Sequence, residues 1–131
     1  MKIAIIGAGP SGIAAGHELL KQGFTDFTIF DELDAPGGTW RQHSYPGLAC
    51  DVWAHSYTFS YAPNPDWNTS FVGYAEIQQY LADCCTNFGL VPHLQLNTSI
   101  NNARYVGKGK WLLESEHRGL GEFDAVSYTH L

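Results

Sequence analysis

Apolar positions along the chain follow first a strand period and then a helix period. Residues 2 to 6 (Lys2-Ile3-Ala4-Ile5-Ile6) are short, apolar after the lysine and rich in Ile, the pattern of a strand buried on both faces. A glycine turn follows. From Pro10 to about Gln22, the residues Ile13, Ala14, His17, Leu19 and Leu20 give a helix an apolar face, and Gly23 stands where a left-handed C-terminal cap belongs. Phe24 to Phe30 ("FTDFTIF") is a second β-branched and aromatic run that ends at Asp31. Strand, turn, helix and strand predict a βαβ unit of about 30 residues.

From Glu32 to Val72 neither period is sustained, and Pro36, Pro46, Pro63 and Pro65 punctuate the segment. An irregular stretch of this length is uncommon in a compact domain and is usually functional. Nine of the eighteen aromatic residues lie between Trp40 and Tyr74, so the segment must pack on something. At Gly73 the helical period returns: Tyr74, Ile77, Leu81, Cys84, Cys85 and Phe88 share a side until Gly89 and Pro92 end it. Residues 93–106 and 110–116 flank Gly107-Lys108-Gly109 as two strands of a hairpin or meander, and 122–126 opens another strand. The expected fold is α/β, with a parallel sheet, helices and a β-meander.

The turn between the first strand and helix reads Gly7-Ala8-Gly9-Pro10-Ser11-Gly12, which fits G-x-G-x-x-G. The first glycine permits the tight turn, the second lets backbone approach a pyrophosphate, and the third lets helix and strand pack closely. The helix then directs its unpaired N–H groups and positive dipole end at the phosphates. Alone the pattern is weak. Here a strand precedes it, a helix follows it, and Asp31 ends the next strand nineteen residues beyond Gly12, against an expected ~20. A carboxylate there accepts hydrogen bonds from ribose hydroxyls and repels a 2′-phosphate, which favours FAD or NAD over NADP at this first site.

Composition excludes several other readings. The net charge is −6 and no segment concentrates Lys and Arg, so there is no electrostatic footprint for nucleic acid or anionic lipid. Three cysteines without a Cys-x-x-Cys spacing suit a reducing, cytoplasmic compartment, and the six scattered histidines show no metal-ligand spacing. The opening has the basic-then-apolar start of a secretory signal, yet Gly7, Gly9, Pro10, Ser11 and Gly12 interrupt the apolar stretch. No apolar run reaches the ~18 residues that would mark a membrane span.

Beyond the first motif stand Gly37-Gly38-Thr39-Trp40, which fits GG-x-W, and Tyr45-Pro46-Gly47 through Cys50-Asp51, which fits YPG-x-x-CD. With these, residues 1 to about 126 resemble the class B flavoprotein monooxygenases, a family that includes Baeyer–Villiger and flavin-containing N- and S-oxygenating enzymes. The resemblance implies FAD as cofactor, NADPH as reductant, and a small-molecule substrate with O2. One oxygen atom enters a ketone, or passes to nitrogen or sulfur, through a flavin peroxide. It further implies FAD contacts from Ser11, Asp31, the backbone of Thr39, Trp40, Arg41 and Gln42, Asp51 and Tyr57, with Ile100 near the adenine. Paired glycines at 37 and 38 suit a backbone lying against the pyrophosphate or ribityl chain, and Thr39 offers a hydroxyl to it. Trp40 and Tyr57 are candidates to wall the flavin ring, although each also fits as a packing residue of the loop. Asp51 matches an aspartate that orients a catalytic arginine, the alternative being an Asp that bonds local backbone.

Parts of the family pattern are missing: a second G-x-G-x-x-G, an F-x-G-x-x-x-H fingerprint and an arginine matched to the catalytic one. The expectation is therefore an incomplete Rossmann-like FAD/NAD(P)-binding fold, the N-terminal FAD-binding portion over residues 1–126, inactive by itself, followed by a tail at 127–131 that departs from the family. Two other readings remain. One is a different FAD-dependent oxidoreductase; the other is a non-catalytic dinucleotide-binding module completed by a partner.

Overall fold

The structure is a computed structural model that describes residues 1–116 and 118–128. Its centre is a parallel sheet in the order β3-β2-β1-β7, comprising β1 (Ile3–Ile6), β2 (Phe27–Phe30), β3 (Leu94–Gln95) and β7 (Ala125–Tyr128). β1 lies between β2 and β7, pairing Ile3 with Phe27 on one side and with Ala125 on the other. This central position explains why an unbroken apolar run was needed there.

Between β1 and β2 runs α1 (Pro10–Lys21), entered through Gly9 with Pro10 in its first turn. Proline suits that place because its fixed φ is helical and its missing N–H would have had no partner there. The helix ends in two hydrogen bonds to its last turn: Gly23 N–H donates to Leu20 O at 3.0 Å and Phe24 N–H to Leu19 O at 2.9 Å, with Gly23 at φ 82°. Phe24 is thereby spent on the cap. The second strand begins at Phe27 rather than at Phe24, which is half exposed.

A short helix, α2 (Thr39–Gln42), interrupts the irregular segment, and α3 (Tyr74–Asn87) follows it, burying Ile77, Leu81, Cys84 and Cys85. The long expected strand at 93–106 is in fact two. Leu94 and Gln95 join the parallel sheet beside β2, whereas Ile100–Gly107 (β4) opens an antiparallel meander with β5 (Lys110–Ser115) and β6 (Arg118–Phe123). The expected strand at 122–126 likewise divides at Asp124, whose carboxylate accepts the Lys2 N–H at 2.6 Å and the Lys110 ammonium. Of the five residues expected to leave the fold, Ser127 and Tyr128 continue β7, paired with Ile5 and Ile6. Residues 129–131 lie outside the described residues.

Strand alternation sorts the core. Ile3, Ile5, Phe27 and Ile29 pack with α1 and α3 on one face, while Ala4 and Phe30 meet Leu113 and Phe123 of the meander on the other. α1 comes so close to the sheet that a Cβ on Gly16 would stand 2.9 Å from Ile29 Cδ1. Among the described residues no helix is long and apolar enough to cross a membrane.

Candidate functional site

At the carboxyl ends of β1, β2 and β7 lies a cleft of about 420 Å³. The chain steps from β1 to β2 and β3 on one side and returns as β7 on the other, so the cleft sits where the strand order reverses. Open α/β sheets bind ligands at such a crevice.

Gly7, at φ 103°, turns the chain out of β1, and the space where its Cβ would stand is open. Gly12 is the opposite case: a Cβ there would lie 1.9 Å from Gly7 O, so only glycine lets α1 start this close to the loop. The first bond into the helix is Ile13 N–H to Gly9 O at 3.0 Å. Pro10 has no N–H, which leaves those of Ser11 and Gly12 as the donors of the helix start. Both residues line the cleft.

The second glycine pair packs directly against the first. Gly37 N–H donates to Ala8 O at 2.9 Å, and a Cβ on Gly38 would stand 2.9 Å from Gly9 Cα. Gly37 and Gly38 have φ of 140° and 54°, backbone that glycine adopts without strain. The two motifs, distant in sequence, are one structural unit. Asp31 ties it to the sheet: its Oδ2 accepts the Ala8 N–H at 2.6 Å, and its Oδ1 accepts the Leu33 N–H at 2.8 Å.

Of the residues expected to bind FAD, Gly7, Gly9, Pro10, Ser11, Gly12, Asp31, Gly38, Thr39, Gln42 and Ile100 line this one cleft. Trp40, Arg41, Asp51 and Tyr57 do not. Trp40 donates its indole N–H to the Tyr57 hydroxyl at 2.9 Å, with the rings edge to face. Arg41 is held outward by a two-point pair with Asp34, at 2.8 and 2.7 Å. That guanidinium, hydrogen-bonded to Asp34, holds the Asp34 carboxyl below the usual carboxylate range. The backbone N–H groups of Trp40, Arg41 and Gln42 turn back onto Gly37 and Gly38 carbonyls. Asp51 is exposed, and its carboxylate has no hydrogen-bond partner among the described residues.

The segment around Tyr57 is fixed from α3. Tyr80 accepts the Phe59 N–H and donates to Ala62 O, both at 2.8 Å. Among the described residues no Lys, Arg or His lines the cleft, whose lining includes Asp31 and Glu32. Among the described residues no group of three or more His, Cys, Asp or Glu could hold a metal ion.

Residues 5–74 match the model of the NAD(P)-binding Rossmann-like domain. The chain belongs to that family. Within this Rossmann-like family its similarity runs to monooxygenases. It is 40% identical over 130 residues to a Baeyer-Villiger monooxygenase of Streptomyces coelicolor, a match covering 98% of this chain and 25% of the relative. It is 37% identical over 123 residues to the FAD-binding monooxygenase tazF of Aspergillus terreus, covering 91% of this chain and 22% of that protein. Among solved structures, an open crystal structure of cyclohexanone monooxygenase superposes with a TM-score of 0.88 at 31% identity, covering 97% of this chain and 26% of that one. The resemblance read from the three motifs therefore holds, as does the Rossmann-like fold. The chain spans about a quarter of the length of these relatives.

Several residues lining the Rossmann-like cleft carried no signal in the sequence. Glu32 and Leu33 reach it as the chain leaves β2, and Thr98 and Ser99 because the link from β3 to β4 crosses beside them: Thr98 N–H donates to Asp31 O at 2.8 Å, and Asn97 N–H to Leu33 O at 2.9 Å. Ser127 and Tyr128 close it as the end of β7.

Proposed function

We propose that the chain forms the FAD-binding portion of an NADPH-dependent flavoprotein monooxygenase, which inserts one oxygen atom of O2 into a ketone or transfers it to nitrogen or sulfur. The observation carrying this reading is the interlocked pair of glycine loops, with Gly9 against Gly38, at the mouth of the parallel sheet. A single glycine loop serves many dinucleotides; a second one locked against it provides backbone along a longer ligand.

FAD suits the residues present. The open side of Gly7 admits a phosphate, the N–H groups of Ser11 and Gly12 supply neutral donors, and Thr39 adds a hydroxyl at the cleft wall. When bound, FAD supplies the electron-transfer and oxygen chemistry, and the protein orients it and keeps it dry. Trp40 and Tyr57 hold each other in a fixed edge-to-face pair and would offer a rigid apolar wall to a flavin ring. Asp51, lying free, is the group that would orient a cationic partner. Among the described residues two carboxylates and no cation line the cleft, which favours a site elsewhere in the protein for NADPH with its 2′-phosphate. The three cysteines are free thiols, as a cytoplasmic location requires.

Titrating the 131-residue chain with FAD, following flavin fluorescence with circular dichroism as a check of folding, tests this. The expected result is a yellow complex of one FAD per chain. A folded, colourless chain that binds NADH and refuses FAD would instead establish the dinucleotide module without catalysis.

A further inference from the structure

Two tied segments of the chain carry three exposed apolar side chains on a fixed base. Cys50 N–H donates to Val72 O and Ala54 N–H to Ser70 O, both at 2.8 Å, and Ala49 bridges Gly73, so residues 49–54 and 70–73 run side by side. Cys50, Ala54 and Val72 are buried in the core, whereas Val52 and Trp53, between the first two, and Phe71, beside the third, are exposed. Trp53 leaves 68% of its surface open. Neither the Trp53 indole nor the Phe71 ring has a ring or hydrogen-bond partner among the described residues. The exposed Tyr61 and Tyr105 differ: Tyr61 stacks on His17 and Phe59, and Tyr105 packs on Trp111.

We infer that Val52, Trp53 and Phe71 form a docking face for the part of the monooxygenase that this chain does not span, with Trp53 as its anchor. This rests on the chain being one portion of a larger enzyme, of which it spans about a quarter in the relatives. Single exposed apolar residues are ordinary, but a group of them on a fixed backbone marks a contact surface. Tryptophan dominates such contacts because one rigid ring covers a large area at little entropic cost. The size of the face decides the occupant. Three side chains open to this extent offer on the order of 300 Å², too little for a second copy, since a stable dimer buries about 800 Å² per partner. A segment joined covalently to the chain needs no such area, because its effective concentration is already about millimolar. Asp51, exposed and unpartnered beside Val52, sets the charge of that segment: apolar at its centre and cationic at the Asp51 edge.

Thiol labelling tests the face, since Cys50, Cys84 and Cys85 are buried and react slowly. Trp53→Cys is made in the 131-residue chain and in a full-length protein in which the chain is joined to the part of the Streptomyces coelicolor relative beyond the match. Lys21→Cys, at the exposed end of α1, is the reference. In the chain alone both thiols should react with a maleimide at similar rates, and the chain should sediment as a monomer. In the joined protein Trp53→Cys should slow more than about tenfold relative to Lys21→Cys, because only rare opening exposes it. An unchanged ratio overturns the inference. So does a protected Trp53→Cys in a chain that sediments as a dimer, which would seat a second copy on the face. Should Trp53→Cys not fold once joined, Phe71→Cys is read in its place, and the remainder of tazF replaces that of the Streptomyces coelicolor relative if the joined protein itself does not fold. A joined protein that protects Trp53→Cys yet carries no FAD would remove the flavin reading and leave the docking face standing.

Discussion

Between Gly7 and Gly12 the chain is positioned by its own backbone, whereas between Trp53 and Trp67 it is positioned by the side chains of a helix that begins only at Tyr74. In the first region the constraints are short-range: a positive φ at Gly7, a proline at the helix start, a glycine hydrogen atom where a Cβ would meet Gly7 O. In the second, Tyr80 bridges Phe59 and Ala62, Glu76 accepts from Asn68 at 3.1 Å, and Phe88 packs on Tyr61. Backbone constraints leave a residue-by-residue signature, whereas side-chain anchoring leaves only a surplus of aromatics. The difference also predicts where damage will be felt, in ligand binding for the first region and, Tyr57 apart, in stability for the second.

The sharpest break of that contrast is Gly12→Ala. The added Cβ would overlap Gly7 O at 1.9 Å, and backbone on both sides has no slack. The loop must move away from the helix start, at a cost of about 3 kcal/mol in stability, with loss of FAD affinity by more than about tenfold. Urea unfolding and flavin titration read the two effects separately. Retention of full FAD affinity would mean that the close approach of loop and helix is not what forms the cradle.

The same contrast explains what was legible beforehand. Gly7, Gly9, Gly12 and Asp31 were readable because each answers a steric or charge demand set within one βαβ unit. The packing of Gly38 on Gly9 was not, since no local pattern reports that two turns about thirty residues apart will share a wall. Leu94 and Gln95 form a strand too short to show alternation, and only pairing with Ile29 and Phe30 defines it. Ser127 looked foreign by comparison with a motif, yet a strand accepts it, because pairing with β1 depends on backbone and not on the motif's residues. Arg41 was expected to act through its backbone, and its side chain is engaged elsewhere, in the pair with Asp34.

Alkaline pH offers an intermediate test, acting on α3 rather than on the glycine loops. Burial pushes the Cys85 thiol up to about 12 and raises the Tyr80 phenol above its ordinary 10.0. Both groups stay neutral in the folded chain while the unfolded chain ionises them, so the unfolded state releases protons first. Stability is therefore flat below the ordinary thiol value of 9.0 and falls as pH rises from there towards 12. Tyr80→Phe should cost about 1–3 kcal/mol at neutral pH, because the Phe59 N–H loses its acceptor. It should also flatten the alkaline decline, while FAD affinity at neutral pH changes little. A Tyr80→Phe chain with wild-type stability but weakened FAD binding would reverse the assignment of the two regions.

Asp51→Ala should do least, and for that reason it separates the motif from the site. Asp51 follows Cys50, whose N–H donates to Val72 O at 2.8 Å and fixes the chain there, so its place does not depend on its own side chain. The carboxylate is exposed, lies outside the cleft and has no partner among the described residues. Surface changes of this kind shift stability by no more than about 0.5 kcal/mol, and FAD affinity of the chain should stay within about twofold. The proposed role of Asp51, orienting a cation, needs a partner that the cleft does not contain, so the effect should emerge only as lost oxygenation in a full-length monooxygenase carrying this chain. A tenfold drop in the chain's own FAD affinity would place the carboxylate on the flavin directly and extend the cradle beyond the two glycine loops.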